Sequence, residues 1–240
     1  MRAVLCGANG AMGKMIADLL GDEVVGKVSL DGENNVPKTF GALGPVPCDV
    51  VIDFSHHTAV ADVLAFAKAT GCAAVIGTTG HTPEEKQLIY DAAREIPVFY
   101  TGNVSLGIAM LCRLAKQAAA AFPEADIEIV EIHHTRKVDA PSGTAHMIFN
   151  AIQQVRPQAT EHCGRAGEGK RTKDEIGISS LRMGAVVGVH EVHICTKNQT
   201  LTLRHEAHDR ALLAEGAVDA ARFMAGKATG LYTMDHILEG

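Results

Sequence analysis

The chain has 240 residues, which fits one large domain or two small ones and is enough to bury an apolar core. The net charge of −6 argues against a general nucleic-acid binder, and no apolar run approaches the roughly 20 residues of a membrane span. The N-terminus enters a strand directly, unlike a signal peptide. Six scattered cysteines without a Cys-x-x-Cys pair predict reduced thiols in a cytoplasmic protein.

A glycine-rich turn follows the first predicted strand, Arg2–Cys6, and leads into a helix. Its spacing is Gly-x-x-Gly-x-x-Gly. In a dinucleotide-binding fold, Gly7 would permit the tight turn, Gly10 would let the backbone approach a pyrophosphate, and Gly13 would let helix and strand pack closely. The turn therefore predicts a cofactor site formed by these residues: Gly7, Ala8, Asn9, Gly10, Ala11 and Met12.

The second predicted strand, Val24–Leu30, ends at Asp31. A carboxylate at this strand end can accept hydrogen bonds from the adenosine ribose hydroxyls. Because it repels a 2′-phosphate, Asp31 favours NADH. The nearby Lys27 and Lys38 leave NADPH open as well.

The rest of the first half alternates between buried-type strands and amphipathic helices after a polar loop at 31–48. This alternation predicts a parallel, doubly wound sheet, at whose carboxyl edge ligands bind. Two more turns, Gly77–Gly80 and Thr101–Val104, fall at that edge. The predicted segments are strands at 49–55, 72–76 and 97–100, and helices at 58–69 and 83–94.

The second half predicts an α+β domain that begins with a helix at 105–121. An alternating strand starts at Asp126, and three further strands at 178–183, 187–196 and 199–206 are joined partly by tight turns. These predict a mixed sheet of about four strands. We expect a flexible basic loop at 156–173, and a final helix at 209–225.

The most informative stretch runs from Glu131 to Ala145, between a strand and a predicted helix at 145–155. Its potential cations are His133, His134, Arg136 and Lys137. Ser142 or Thr144 is the predicted N-cap, and a helix start offers free N–H groups and the positive end of a dipole. This combination predicts a site for a carboxylate or phosphate, with a His and a Lys as potential proton donors.

The run Glu-Ile-His-His-Thr-Arg-Lys-Val-Asp-Ala-Pro-Ser-Gly-Thr-Ala closely resembles the signature of the dihydrodipicolinate reductase family of lysine biosynthesis. The resemblance implies NAD(P)H-dependent reduction of a cyclic, unsaturated dicarboxylate by a cytoplasmic homotetramer. It also implies an α/β fold with a Rossmann-like domain at 1–104, completed by about 209–240. A substrate-binding and oligomerisation domain would occupy 105–208.

The resemblance also implies site roles, each carried onto a matching position. The catalytic candidates are His133 and Lys137, and the substrate-binding candidates are His134, Gly143 and Thr144. Further cofactor contacts are expected from the two turns, at Gly77, Thr78, Thr79, Thr101, Gly102, Asn103 and Val104. One departure is His56-His57, where the family usually has an Arg or similar residue and then a Pro, so no role is carried onto that loop.

The sequence also bears on two other functions and on a metal site. A thioester-forming aldehyde dehydrogenase of this architecture would need a reactive cysteine, and none of the six lies beside a His in a suitable loop by sequence. A non-enzymatic nicotinamide sensor would not need His133, His134 and Lys137 beside a carboxylate-binding turn. The twelve histidines lack a His-Glu-x-x-His motif and Cys–His ligand spacing, so we expect no metal site.

Overall fold

The structure is a computed structural model that describes residues 1–239. The chain divides into two compact units. The first contains Met1–Leu106 and the segment from Ala211 onward, and the second contains Gly107–Arg210. Within residues 1–239, no helix has both the length and the apolar character that crossing a bilayer requires.

The first unit is built on a six-stranded parallel sheet with the spatial order β11-β5-β4-β3-β1-β2. Its strands are β1 Ala3–Cys6, β2 Val24–Val28, β3 Val50–Asp53, β4 Ala73–Ile76, β5 Pro97–Tyr100 and β11 Gly230–Tyr232. Its helices are α1 Ala11–Leu20, α2 Phe40–Leu43, α3 Val60–Thr70, α4 Pro83–Ala92, α7 Ala211–Met224 and α8 Met234–Glu239. Every residue of β1, β3 and β4 is buried, as expected where helices cover both faces of a parallel sheet.

The segment after Arg210 completes this first unit. Strand β11 pairs in parallel with β5, and α7 packs beside α1 and against the sheet. A Cβ at Gly216, in the middle of α7, would lie 1.9 Å from the carbonyl oxygen of Val104. The helix can therefore approach the loop after β5 only because this residue is glycine.

The second unit is built on a five-stranded mixed sheet with the spatial order β10-β9-β6-β8-β7. The central strand β6 is parallel to β8 and antiparallel to β9. Two helices pack on one face of the sheet, over a core that includes Ile127, Ile129 and Ile148. The elements are α5 Leu106–Ala121, β6 Asp126–His133, α6 Gly143–Gln153, β7 Thr160–Cys163, β8 Glu175–Arg182, β9 Gly188–Cys195 and β10 Thr200–Ala207.

The predicted fold class is confirmed, with three local corrections. The second sheet has five strands rather than four, because β7 lies inside the segment predicted to be a flexible loop and pairs with β8. All four β7 residues are exposed, so no buried alternation marks this edge strand in the sequence. The predicted loop at 31–48 contains the short helix α2. His133, placed in a loop by the prediction, is the last residue of β6.

Candidate active site

The glycine-rich turn is fixed by its own backbone. The N–H groups of Gly7 and Ala8 donate to the carbonyl of Val28 at the end of β2, at 2.9 and 3.2 Å. Gly7 has a φ of +83°, and a Cβ at Gly13 would lie 2.2 Å from the Gly7 oxygen. A Cβ at Gly10 would meet only that same oxygen, at 3.2 Å. The third glycine therefore allows the close packing of α1, while Gly10 leaves open space in front of the turn.

The N-terminus of α1 carries no side-chain cap and no acidic residue in its first turn. Its first N–H groups and the positive end of its dipole are thus available to an anion, such as the pyrophosphate of a dinucleotide. Met12 is half-buried, whereas Ala11 is exposed at the start of the helix. The turn consequently fits a dinucleotide by its geometry.

Asp31 is tied to the same turn. Its Oδ1 accepts hydrogen bonds from Asn9 Nδ2 at 2.6 Å and from the backbone N–H of Glu33 at 3.0 Å. The Asn9 bond, followed by the Glu33 bond, holds the pKa of Asp31 below its usual range. The side chain of Lys38 packs against Gly32, the residue that follows Asp31. Asp31 is therefore an ionised, exposed carboxylate that is positioned relative to the glycine-rich turn.

The two further predicted cofactor loops use most of their polar side chains internally. Thr78 Oγ1 accepts a hydrogen bond from the Ser55 N–H at 2.9 Å, and Thr101 Oγ1 donates to the Asn103 carbonyl at 2.8 Å. A Cβ at Gly77 would collide with the Phe54 ring, at 2.2 Å. Thr79 and Gly102 are exposed, and Val104 is buried. Of the three threonines in these loops, Thr78 and Thr101 therefore use their hydroxyls within the protein, and Thr79 is exposed.

The His56-His57 departure has local structural partners. His57 Nδ1 lies 2.9 Å from the Glu85 carboxylate, and His56 Nδ1 lies 2.9 Å from the hydroxyl of Thr58. Glu85 also belongs to the capping box of α4 with Thr82. His57 therefore connects the loop after β3 to the start of α4.

In the second unit, a fully buried carboxylate lies beneath the predicted catalytic loop. Glu131, on β6, is 0% exposed and bonds to His133 Nδ1 through Oε2. Arg182, at the end of β8, donates to both carboxylate oxygens at 2.8 and 3.0 Å. The backbone N–H of Ser142 donates to Oε1 at 3.2 Å. One carboxylate thus connects three elements: β6, β8 and the N-terminus of α6.

The charges of this network follow from burial and partners. Burial would raise the pKa of Glu131, but hydrogen bonds from His133 and Arg182 outweigh it and lower the pKa to about 2. His190 on β9 packs edge-on against His133, with ring centroids 5.1 Å apart. Burial, followed by the neighbouring His133, lowers the pKa of His190 to about 3. At neutral pH, Glu131 is an anion and His190 is uncharged.

The N-terminus of α6 is the predicted anion-binding turn. Ser142 is its N-cap, with the hydroxyl accepting from the Ala145 N–H at 3.2 Å. Gly143 is exposed, and no atom of the described residues beyond its chain neighbours lies within 4 Å of the place where a Cβ would be. Thr144 is half-buried. Helix starts of this kind bind carboxylates through backbone N–H groups. Of the two predicted N-caps, the structure has Ser142.

The remaining loop residues are partly paired. Lys137 Nζ lies 2.8 Å from Asp139 Oδ1, and Arg136 is exposed. His134 Nε2 lies 3.1 Å from a guanidinium nitrogen of Arg210. Burial, with Arg136 and Arg210 adding to it, lowers the pKa of His134. The four predicted cations thus have different surroundings, and only His133 bonds to the buried carboxylate.

Glu131, His133 and His190 also offer ligand atoms within 4.8 Å of one another, as a metal site would. Both oxygens of Glu131 already accept hydrogen bonds from Arg182, however. A cation would have to compete there with a fixed positive charge. The cluster has the chemistry of an ion-paired hydrogen-bond network.

Comparison with known proteins gives the family of this chain. The dihydrodipicolinate reductase N-terminal domain model matches residues 1–104, and the C-terminal domain model matches residues 107–238. The chain belongs to the dihydrodipicolinate reductase family. It is accordingly an NAD(P)H-dependent oxidoreductase of the diaminopimelate route to lysine.

Individual members of this family match over nearly the whole chain. The 4-hydroxy-tetrahydrodipicolinate reductase of Caldanaerobacter subterraneus subsp. tengcongensis is 40% identical, covering 100% of this chain and 98% of its own. That of Gluconobacter oxydans is 40% identical, covering 99% and 97%. A dipicolinate-bound dihydrodipicolinate reductase from Paenisporosarcina sp. TG-14 shares the fold, with a TM-score of 0.76 at 24% identity, over 97% of each chain.

Membership in a reductase family decides against the two alternative functions. The thioester hypothesis needed a reactive cysteine in a suitable loop beside a His. Cys6, Cys48 and Cys72 are buried, whereas Cys163, which follows His162, and Cys195 are exposed but lie on the strands β7 and β9 rather than in a loop. The sensor hypothesis assumed a protein without catalysis, whereas the curated relatives are reductases. The dihydrodipicolinate reductase resemblance of the motif is thereby confirmed as a family relationship.

Several residues of the Glu131 network received no role in the sequence analysis. Glu131 was part of the quoted motif, and its place two residues before His133 on a strand puts both on one face. Arg182 gave no such signal, because it is 51 residues from Glu131 and meets it only through the pairing of β6 with β8. No sequence motif marked His190, which is buried and contacts the Ser142 hydroxyl at 3.2 Å.

Proposed function

We propose that this chain reduces 4-hydroxy-tetrahydrodipicolinate, or its dehydrated form, to tetrahydrodipicolinate, with the residue roles given below. The observation that carries the proposal is that His133 and the N-terminus of α6 are bound to one carboxylate, Glu131, in a chain of this family. A cyclic dicarboxylate requires donors for its carboxylates and a proton for its reduced ring. This part of the second unit offers both kinds of group.

A substrate carboxylate would bind at the N-terminus of α6. Gly143 and Thr144 would contribute backbone N–H groups there, and the helix dipole would favour the negative charge. His134, whose Nε2 lies beside Arg210, would add a side-chain contact. The absence of a Cβ at Gly143 leaves room for the ligand at this helix start.

The proton would come from His133 or Lys137. When bound, the nicotinamide supplies a hydride to the unsaturated ring, and one proton completes the reduction. His133 is held through Nδ1 by Glu131, which leaves Nε2 to face a ligand. Lys137 carries a flexible ammonium group that can donate a proton or stabilise developing negative charge. Its partner Asp139 is half exposed, so the lysine can leave this ion pair at small cost.

The first unit would hold the cofactor. The residues from Gly7 to Met12 would bind the pyrophosphate at the start of α1, and Asp31 would accept hydrogen bonds from the ribose hydroxyls. The loops Gly77–Thr79 and Thr101–Val104 would offer backbone groups to the nicotinamide side. Because Asp31 is ionised and lies beside the turn, we propose that NADH is used in preference to NADPH.

We further propose a cytoplasmic homotetramer assembled through the second sheet. Helices α5 and α6 both cover one face of this sheet, and the opposite face carries the half-buried apolar residues Val130 and Ile132 together with Leu181, 41% exposed. An apolar sheet face without covering helices favours self-association. The six cysteines are all free thiols, as in a reducing compartment. Sedimentation of the purified protein measures the assembly.

The decisive experiment is nicotinamide oxidation by the purified protein. The substrate is made in situ from pyruvate and aspartate semialdehyde, with NADH and NADPH in parallel and a reaction without aspartate semialdehyde as the control. We expect substrate-dependent oxidation that is faster with NADH. A protein that binds either nucleotide but oxidises neither would contradict the proposed reaction.

A further inference from the structure

Glu131 has no contact with solvent, and each of its oxygens accepts two hydrogen bonds. Oε2 binds His133 Nδ1 and Arg182 Nη1, and Oε1 binds Arg182 Nη2 and the Ser142 N–H. A carboxylate can accept about four hydrogen bonds in total, so this group is saturated. It is therefore fixed in position and orientation by three separate elements of the unit.

Apolar residues could stabilise the fold as well as this ion-paired arrangement does. Buried ion pairs are costly to desolvate, and replacing one by well-packed hydrophobic side chains often leaves a protein at least as stable. Glu131 lies among the isoleucines of β6, where an apolar residue would continue the core. A role in positioning a reacting group would explain why a buried carboxylate occupies this position.

The surroundings of His133 indicate which atom is presented to a ligand. Nδ1 is bonded to Glu131, so Nε2 is the nitrogen left for a ligand. A Cβ at Gly188 on β9 would lie 3.1 Å from Nε2, and this position is a glycine. The ring of His190 closes another side in an edge-on contact at 5.1 Å. The imidazole is therefore held in one orientation with Nε2 beside a position that lacks a side chain.

We propose that Glu131, itself held by Arg182, is a positioning residue that fixes the His133 imidazole with Nδ1 toward the carboxylate and Nε2 toward the dicarboxylate substrate. Through the Ser142 N–H, the same carboxylate sets the place of the carboxylate-binding turn relative to that ring. Arg182 additionally donates to the carbonyl of Asp139, which ties the intervening loop to the pair. This inference rests on the function proposed above, because it takes His133 as one of the two candidate proton donors named there.

The test is Glu131→Gln, which keeps the size of the side chain but cannot accept four hydrogen bonds. We expect kcat to fall by roughly 10- to 100-fold, the range known for residues that orient a ligating histidine in metal enzymes. The KM for the dicarboxylate and the dissociation constant of NADH should change by less than about threefold. Such a separation of kcat from KM identifies positioning rather than loss of the binding site.

A pH profile gives a readout that a purely structural role would not move. The charged or titratable groups around His133 are Glu131, Arg182, His190 and His134. Glu131 is the one carboxylate among them, so Glu131→Gln leaves only cationic or neutral groups beside the ring. The pH profile of kcat should therefore differ from that of the wild type in Glu131→Gln. In Glu131→Asp, which keeps the charge, the profile should stay in place while kcat falls less.

Glu175→Gln is the matched control. Glu175 is also a buried glutamate, 7% exposed, and pairs with Arg165 and Arg171. It begins β8, the strand that Arg182 ends, so it lies at the far end of the same sheet. We expect kcat of this variant to remain within about twofold of wild type. An equal loss of kcat in Glu131→Gln and Glu175→Gln would overturn the proposal.

A spectroscopic measurement separates this inference from the proposed function. In ¹⁵N NMR of the unliganded protein, we expect His133 to carry a proton on Nδ1 in the wild type and to change its tautomer in Glu131→Gln. An unchanged His133 signal in Glu131→Gln would overturn the positioning role even if the enzyme is active. Absence of wild-type turnover, with the expected NMR change, would instead refute the proposed reaction and leave the positioning of His133 supported.

Discussion

The glycine-rich turn of the first unit and the Glu131 network of the second unit are both proposed ligand sites. They differ in what forms them: the turn depends on the absence of side chains, and the network depends on charged side chains. The turn at Gly7–Gly13 is one continuous segment whose geometry depends on missing side chains. The network joins side chains from β6, β8 and β9 with one backbone N–H, and it depends on charge. A site of the first kind is sensitive to added volume. A site of the second kind is sensitive to pH and to single-atom changes in side chains.

The largest expected effect is in the loop that follows β6, next to the second site in sequence. Lys137→Ala should lower kcat by about 100- to 1,000-fold, as expected for loss of a proton donor, with a change of less than about threefold in the dissociation constant of NADH. Steady-state kinetics and nucleotide titration measure the two quantities. Lys173→Ala is the control, since Lys173 is an exposed lysine of the same unit that pairs with Glu124. A loss of NADH affinity as large as the loss of kcat would contradict the donor role.

The second effect tests whether the network makes stability pH-dependent. The unfolded chain binds a proton at His190 near pH 6.5, whereas in the folded chain its pKa is about 3. The free energy of unfolding should therefore fall as the pH drops below 6.5, by about 1–2 kcal/mol at about pH 5. In His190→Gln this part of the loss should disappear, as measured by urea unfolding at several pH values.

His193→Gln controls for the loss of a histidine from β9. His193 lies on the opposite face of the sheet, where it contacts Glu191 and Thr202. Its replacement should leave the wild-type pH dependence below pH 6.5 in place. If His190→Gln and wild type lose stability in parallel on acidification, His190 is not kept uncharged by the fold.

The third effect is on the glycine-rich turn. Gly10→Ala should fold normally, because the new Cβ would meet only the Gly7 oxygen at 3.2 Å. It should nevertheless weaken NADH binding by about tenfold, or about 1.4 kcal/mol, because the methyl group occupies the approach of the pyrophosphate. Gly41→Ala, where the nearest atom is Thr39 Oγ1 at 3.9 Å, is the control. Unchanged NADH affinity in Gly10→Ala would place the pyrophosphate elsewhere.

The smallest effect concerns cofactor choice. Asp31→Asn keeps an oxygen for the bonds from Asn9 and Glu33 but removes the negative charge. We expect the ratio of kcat/KM for NADPH to that for NADH to rise about fivefold, because repulsion of the 2′-phosphate is lost. Asp18→Asn, an exposed position on α1, controls for the change in net charge. A constant ratio would mean that Asp31 does not lie near the ribose.

The same contrast explains what the sequence could predict. The turn was predictable because its glycines, flanking strand and helix are contiguous in the sequence. The bounds of β5, Pro97–Tyr100, were also predicted correctly. The partners of Glu131 were not, because the register between β6 and β8 decides them and no local pattern specifies a register. Strand β7 was not predicted either, because its sequence carries no local pattern of burial. An exposed edge strand is held by backbone hydrogen bonds, which leave no apolar alternation.

The discontinuity of the first unit has a consequence for synthesis on the ribosome. Strand β5 obtains its outer neighbour β11, and the sheet obtains the cover of α7, only from residues after Arg210. The five strands of the second unit are all present once residue 207 has emerged. Translation proceeds at about 5–20 residues per second, so the middle of the chain can fold seconds before the two ends meet. During this interval the earlier strands lack the cover of α7, so an apolar sheet face stays exposed until the last residues are synthesised.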